Sequence, residues 1–457
     1  MYEGREPGLF AAMEAVQKER GMEDDSMMVA LCKLSEIMLE MQLPGVIRWL
    51  RKLRADAVVH CPMMNPEAAY GAKVLGIPCV ALLTTAGPGS VVKAVTEMLA
   101  VQGLTADDMV KVRESYAPAR ECVERLRAEY GISRSMSLVY KPLGRMETVM
   151  ESHLTLVTTC EGLQDPMTPE LAQVYRDANV KFACVGPLLD AQEGARRAAG
   201  HKYHGEDHKE EHQDAAEQRS AVALLREARA AGRKVVLVSM GTVITGDSPD
   251  FGWDARMRGA DGQPRGLTGR ELCQAAWGGA FDAFGAEKAQ EGPLLLVALG
   301  PQPDALGDLK APSNACCMPI LPQVDLLKAG VDLFLTHGGQ NSFTEALSVG
   351  TPIVVCPGFG DQVVNAQKAA DLGVGLQVVR PMPDPGQEAA AAAAYRTEVA
   401  SALHEVFNAE PFHGTAERYA EQLRVAGGVP RAVSLLLEVS EPHGHADVAK
   451  NAGTAVR

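Results

Sequence analysis

The chain of 457 residues contains no stretch of 18 uninterrupted apolar residues, which excludes a transmembrane helix. It also lacks a Lys/Arg-rich block, and its formal net charge is −14, so no nucleic acid or anionic membrane surface is expected as its main partner. The opening residues, MYEGREPGLFAAMEAVQ, have no basic stretch followed by an apolar one, and no secretory signal is read there. None of the ten cysteines forms a CxxC pair, and several sit inside apolar strand-like runs such as PIVVCP around Cys356. That pattern points to reduced, buried thiols acting as small hydrophobes, and with them to a cytoplasmic, reducing setting.

What is present is an ordinary globular balance, 46% hydrophobic and 22% charged, in a chain too long for one core, so two domains are expected. Over residues 1–189 helices and strands alternate. Apolar positions at helical spacing predict helices over 8–19 and 27–41, and Pro44 is expected to open a further one. ADAVVHC (55–61), PCVALLTT (78–85), HLTLVTT (153–159) and KFACVGP (181–187) read as strands of a parallel sheet. Residues 190–218 turn polar and charged and read as an interdomain linker. His201, His204, His208 and His212 recur in it at spacings that would share a helix face and could bind a transition metal. The charged, glycine-containing composition favours a solvated segment instead, and no metal site is assigned.

The alternation restarts over 219–425. VVLVSMGT (235–242), LLLVALG (294–300), NACCMPI (314–320), DLFLTHGG (332–339) and PIVVCPGFG (352–360) are near-continuous apolar strands, most followed by helical patterns. Such runs imply a parallel sheet covered on both faces. Residues 244–266 read as a long polar loop, of the length that is usually functional or disordered. A short final helix, 426–440, is expected to return to the N-terminal domain, and 441–457 reads as a disordered tail.

The most informative segment is 320–366. The strand VDLFLT delivers His337 and two glycines into the start of a helix near Asn341. Glycines let the backbone approach a ligand closely, and a helix start offers free N–H groups and the positive end of a dipole. That combination suits a pyrophosphate, with His337 as a further donor. Ligands of parallel sheets sit at the carboxyl ends of strands, where this loop falls. Each residue also has a plainer reading. The glycines can serve a tight turn, Ser342 and Glu345 fit a capping box, and Asp361 fits an N-cap.

In combination these residues resemble the donor-binding signature of the UDP-glycosyltransferases. The elements stand in order: Pro322-Gln323, Thr336-His337-Gly338-Gly339, Asn341-Ser342, Glu345, Gly350-Thr351-Pro352, Pro357, Asp361-Gln362 and Asn365-Ala366. The resemblance implies a GT-B fold: an α/β protein of two Rossmann-like domains with parallel sheets facing across a cleft. It further implies that His337, with Gly338 and Gly339, meets the diphosphate, with Asn341 and Ser342 beside it. Glu345 would hold the ribose diol, and Gln323 would lie at the nucleoside with Ile320 and Leu321. Asp361 and Gln362 would hold the sugar, and Ser239, Gly241 and Thr242 would stand near the phosphates. Where the family commonly stacks Trp on uracil, this chain has Ile320.

The implied activity is an inverting, metal-independent transfer of a hexose from a UDP-sugar to a hydroxyl of a small lipophilic acceptor. The UDP-sugar is a substrate, and no cofactor is implied. Family members begin with a glycine-rich strand–turn whose His deprotonates the acceptor, and nothing resembling it precedes residue 55. About two strand–helix units, roughly 60 residues, are absent by that comparison. The assisting Asp of the family would fall at Cys61, preceded here by His60, the one substitute base near that position. His153, at a strand start, is weaker. The alternative is a nucleotide-sugar-binding module without its own base, inert or completed by a partner chain.

Overall fold

A computed structural model describes residues 15–133, 142–189, 210–258 and 263–440. The first 14 residues, the linker through residue 209 and the tail from residue 441 lie outside them. So do three of the four linker histidines and the side chain of His212.

In the N-terminal unit residues 15–19 are helical, and α1 (Met27–Leu53) follows, running without a break through Pro44. The expectation of two helices, the second opening at Pro44, is thereby corrected. Proline removes one backbone hydrogen bond, but Leu39, Leu43, Val46, Ile47 and Leu50 are all buried, and this packed face carries the helix past the gap. β1 (Val58–His60), α2 (Pro66–Leu75), β2 (Cys79–Leu83), α3 (Pro88–Val101), α4 (Ala106–Ser115), α5 (Ala117–Tyr130), α6 (Glu147–Met150), β3 (Leu154–Val157), α7 (Pro169–Asp177) and β4 (Phe182–Cys184) follow. The four strands pair in parallel in the order β1-β2-β3-β4.

The C-terminal unit begins with α8 (Glu210–Ala230), so a linker ending at residue 218 would stop inside a helix. Ala221, Leu225 and Ala228, spaced four and three apart, pack α8 against Leu237 and Leu296 of the second sheet. The polar composition of its first turns disguised that start. Next come β5 (Val235–Ser239), the two-residue strands β6 (Met257–Arg258) and β7 (Pro264–Arg265), α9 (Gly269–Phe284), β8 (Leu294–Ala298) and β9 (Ala315–Met318). They are followed by α10 (Gln323–Gly330), β10 (Leu333–Thr336), α11 (Gln340–Ser348), β11 (Ile353–Val355), α12 (Asp361–Leu372), β12 (Gly375–Gln377), α13 (Glu388–Asn408), α14 (Glu410–Val425) and α15 (Gly428–Ser440).

The six long-sheet strands are parallel, in the order β12-β11-β10-β5-β8-β9. In chain order that is the doubly wound 6-5-4-1-2-3 pattern, which reverses direction between β5 and β10. β12 escaped the sequence reading, because Gly375–Gln377 is too short to show alternation. Two apolar layers cover the sheet, one built on Trp277, Val399 and Leu403, the other on Leu326, Phe343 and Ala366.

α15 crosses back to the first sheet. Ala432 and the partly buried Leu435, Leu436 and Val439 pack on Val80, Leu154 and Leu156. The turn that redirects the chain needs left-handed backbone at Gly427 (φ 97°) and Gly428 (φ 57°). A second tie joins the units where Lys368 of α12 donates to Asp165 Oδ2 and to the Leu163 carbonyl, each at 3.0 Å. Asp165 is 5% exposed and also faces Lys93 at 3.3 Å. No helix of the described residues is long and apolar enough to cross a membrane.

Candidate functional site

The switch point between β5 and β10 is where the two strand ends diverge and leave a crevice. Thr336 and Ser239 are register partners there, and the next residues out are His337 on one side and Met240-Gly241 on the other. The His337 amide donates to the Ser239 carbonyl (3.2 Å), which ties the two loops together.

The imidazole of His337 lies between two glycines for a steric reason. A Cβ on Gly241 would stand 2.6 Å from its Cε1 and Nε2, and one on Gly339 2.6 Å from Nε2. Gly241 and Gly338 also hold φ of +79° and +84°. Burial lowers the His337 pKa from 6.5 to about 4, opposed by the Ser239 carbonyl, so the ring is neutral at pH 7 and one nitrogen donates. Its Nδ1 has no hydrogen-bond partner. The loop is braced from below, where Asn365 Nδ2 donates to the Gly338 carbonyl (2.8 Å) and the Gly338 amide to Thr336 Oγ1 (3.2 Å).

α11 starts at Gln340, one residue before the position expected, and its N-cap residue, Gly339, has no side chain to cap with. The capping box does not form. Ser342 Oγ and Glu345 Oε2 instead both accept from Gln323 Nε2, at 3.0 and 2.6 Å, which joins the α10 and α11 starts into one polar cluster. Burial raises the Glu345 pKa and the Gln323 hydrogen bond opposes the rise. Asp361, the first residue of α12, caps α11, its Oδ2 accepting the Gln340 amide at 2.9 Å. Burial pushes its carboxyl up against three backbone hydrogen bonds. The first amide of α11 is therefore taken, and Asn341 and Ser342 stand at the helix opening.

The remaining expected residues divide. Gln362 is 5% exposed, and its Oε1 accepts the amides of Gly358 (2.8 Å) and Phe359 (3.4 Å), so only its Nε2 is left for a ligand. Leu321 is 6% exposed and packs in the core, whereas Ile320 is partly exposed. Ser239 accepts from the Gly241 amide at 3.5 Å, and Thr242 is exposed at the following turn. Sequence reasoning gave no role to Thr245, whose Oγ1 donates to the Gly241 carbonyl at 2.7 Å and fixes the loop from the far side.

In the N-terminal unit His60 is 3% exposed, and its Nε2 lies 3.0 Å from Ser152 Oγ. The Ser152 hydroxyl also donates to the Thr148 carbonyl (2.7 Å), and His60 Nδ1 has no hydrogen-bond partner. Burial lowers the His60 pKa to about 4, opposed by a hydrogen bond to the Cys61 backbone. The residue lines a cavity of about 280 Å³ with Val46, Trp49, Asn65, Glu67 and Leu82. His153 is structural, its Nδ1 accepting the Cys79 amide at 3.3 Å.

Residues 294–410, which hold β8 through α13, match the family model described as UDP-glucoronosyl and UDP-glucosyl transferase. Over this segment the chain resembles the UDP-glycosyltransferase family. The chain is similar to the uncharacterized UDP-glucosyltransferase YojK of Bacillus subtilis, 33% identical over 127 residues, 28% of each chain. It is also similar to the NDP-glycosyltransferase YjiC of that organism, 32% identical over 132 residues, 29% of this chain and 30% of the other. The chain thus spans under a third of the curated relatives it matches.

Among solved structures, Os79 of O. sativa in complex with UDP superposes with a TM-score of 0.53 at 16% identity, over 94% of this chain and 86% of that one. The glycotransferase of kitacinnamycin gives 0.53 at 19%, over 96% and 85%. These likenesses show the fold, which is GT-B.

Proposed function

We propose that the chain binds a UDP-sugar at the β5–β10 switch point and transfers its hexose to a hydroxyl of a small, lipophilic acceptor. One arrangement carries this reading: a neutral imidazole held between two glycines beside the opening of α11, with the Gln323–Glu345 pair one turn along. A diphosphate seated there meets the helix dipole, the amides of Asn341 and Ser342 and the His337 donor. The partly exposed Glu345 carboxylate, oriented by Gln323, suits a vicinal diol.

Charge developing on the departing UDP would be met by these fixed donors rather than by a metal. Direct attack by the acceptor hydroxyl on the anomeric carbon would invert its configuration. His60, at the carboxyl end of β1 and lining the cavity there, is the base this chain offers for that hydroxyl. A cytoplasmic setting belongs to the same reading, in line with ten free cysteines that are buried or partly buried.

A second reading, a donor-binding module without a base, is favoured by the placement of both N-terminal histidines in structural hydrogen bonds to Ser152 and Cys79. Calorimetry with UDP, followed by incubation with UDP-glucose and a panel of phenols and sterols, decides between them. Glycoside formation that His60→Gln abolishes while UDP affinity persists supports the transferase. UDP binding without turnover supports the module, and no UDP binding overturns both.

A further inference from the structure

The loop between β5 and α9, expected only to be long and polar, supplies one ring of an aromatic pair. Phe251 stacks on Phe359 with ring centroids 4.2 Å apart and planes 24° apart. The two are 5% and 9% exposed, and Val101, the last residue of α3 in the N-terminal unit, closes the cluster with Met257 at its edge. The base of the loop is pinned by the Trp253 amide on the Gly246 carbonyl (2.7 Å) and the Gly252 amide on the Ser248 carbonyl (2.8 Å).

The other ring sits at a sensitive place. Phe359 lies two residues before Asp361, joined through Gly360 at φ 60° and ψ −129°, a conformation that side chains other than glycine's rarely adopt. A Cβ on Gly360 would touch Met98 Cγ of α3 at 3.2 Å, so the N-terminal unit closes on this turn as well. The Phe359 and Gly358 amides both point at Gln362 Oε1, and the Gly358 carbonyl accepts from Arg380 at 3.1 Å. The segment 358–362 is therefore one braced unit, held on its open side by the Phe251 ring.

We infer that Phe251 is a positioning residue for the sugar half of the donor. It fixes Phe359, and through it Asp361 and Gln362, against Val101 of the opposite unit. This rests on the reading of Asp361 and Gln362 as the sugar-contacting pair. His337, Gln323 and Glu345 hang on the α10 and α11 starts, so loss of the ring stack separates sugar recognition from nucleotide recognition.

The test is calorimetry on the full chain with UDP and with UDP-glucose, for the wild type, Phe251→Ala, Phe359→Ala and the double variant. Phe251→Ala raises the Kd for UDP-glucose roughly ten- to hundredfold, the scale of a misplaced contact, and leaves that for UDP within about twofold. Phe359→Ala does the same, and the double variant is no worse than either, because both remove one contact. Phe251→Leu, which keeps the apolar contact without the flat ring face, falls between wild type and alanine. Unchanged UDP-glucose affinity in Phe251→Ala, equal losses for both ligands, or additive single effects overturn the inference alone. A wild-type chain that binds neither ligand overturns the donor-site reading and this one with it.

Discussion

Gly241 is the position at which the donor-site geometry is most exposed to a single methyl group. An alanine there places its Cβ 2.6 Å from His337 Cε1 and Nε2 and 2.8 Å from Cδ2, whereas ordinary contact begins near 3.4 Å. The ring must move by about 1 Å to restore that separation. The backbone adds its own strain, since φ +79° costs an L-residue roughly 1–2 kcal/mol. If His337 is a donor to the diphosphate, displacing it removes a hydrogen bond to a charged group, about 1.5–3 kcal/mol, or roughly ten- to hundredfold in Kd. Titration calorimetry with UDP reads this directly, with thermal unfolding as the control for the backbone component. Gly241→Ala and His337→Ala should weaken UDP binding alike, and the double variant no further. Wild-type UDP affinity in Gly241→Ala, or losses that add in full, would refute the placement of the imidazole against the phosphates.

Glu345→Ala should weaken UDP binding with little change in melting temperature, because its carboxylate holds Gln323 rather than a helix amide; a stability loss with unchanged affinity would return Glu345 to a structural role. His60 ties stability to pH. Its folded pKa of about 4 lies below the 6.5 of the free side chain, so on acidification the unfolded chain takes up the proton first. Stability should fall from pH 6.5 to about pH 4, by up to about 1.4 kcal/mol per unit for this group, with His337 acting in the same direction. Urea unfolding at pH 7, 6 and 5 measures the slope, and His60→Gln should flatten it; an identical slope would show that the imidazole is not held neutral. Lys368→Met leaves Asp165, 5% exposed, still paired with Lys93 and should cost on the order of 1.5–3 kcal/mol, the loss of one charged hydrogen bond. An unchanged melting curve would remove this ion pair from the interdomain contact.

Strands were the easiest elements to read. A strand buried on both faces must be apolar throughout, and five such runs in the second half and four in the first appear as β-strands at or inside the expected limits. Helix limits were harder. Pro44 carries the local chemistry of a helix start, yet the packed face of α1 overrides it, and α8 begins in residues whose polarity hides the turns ahead of Ala221. The aromatic pair at Phe251 and Phe359 left no local signal, because its partners are 108 residues apart and the third contact comes from the other unit.

The motif from Gln323 to Ala366 was determined by the order of residues alone, since a strand, two glycines and a helix start are consecutive in the chain and their chemistry is local. Who holds whom within that motif was not. Glu345 turns to Gln323, Asp361 caps the neighbouring helix, Gln362 braces its own loop and Asn365 supports Gly338. Those pairings depend on how β10, β11 and their helices stack side by side, a distance relation that one-dimensional order does not contain and that packing of the parallel sheet supplies.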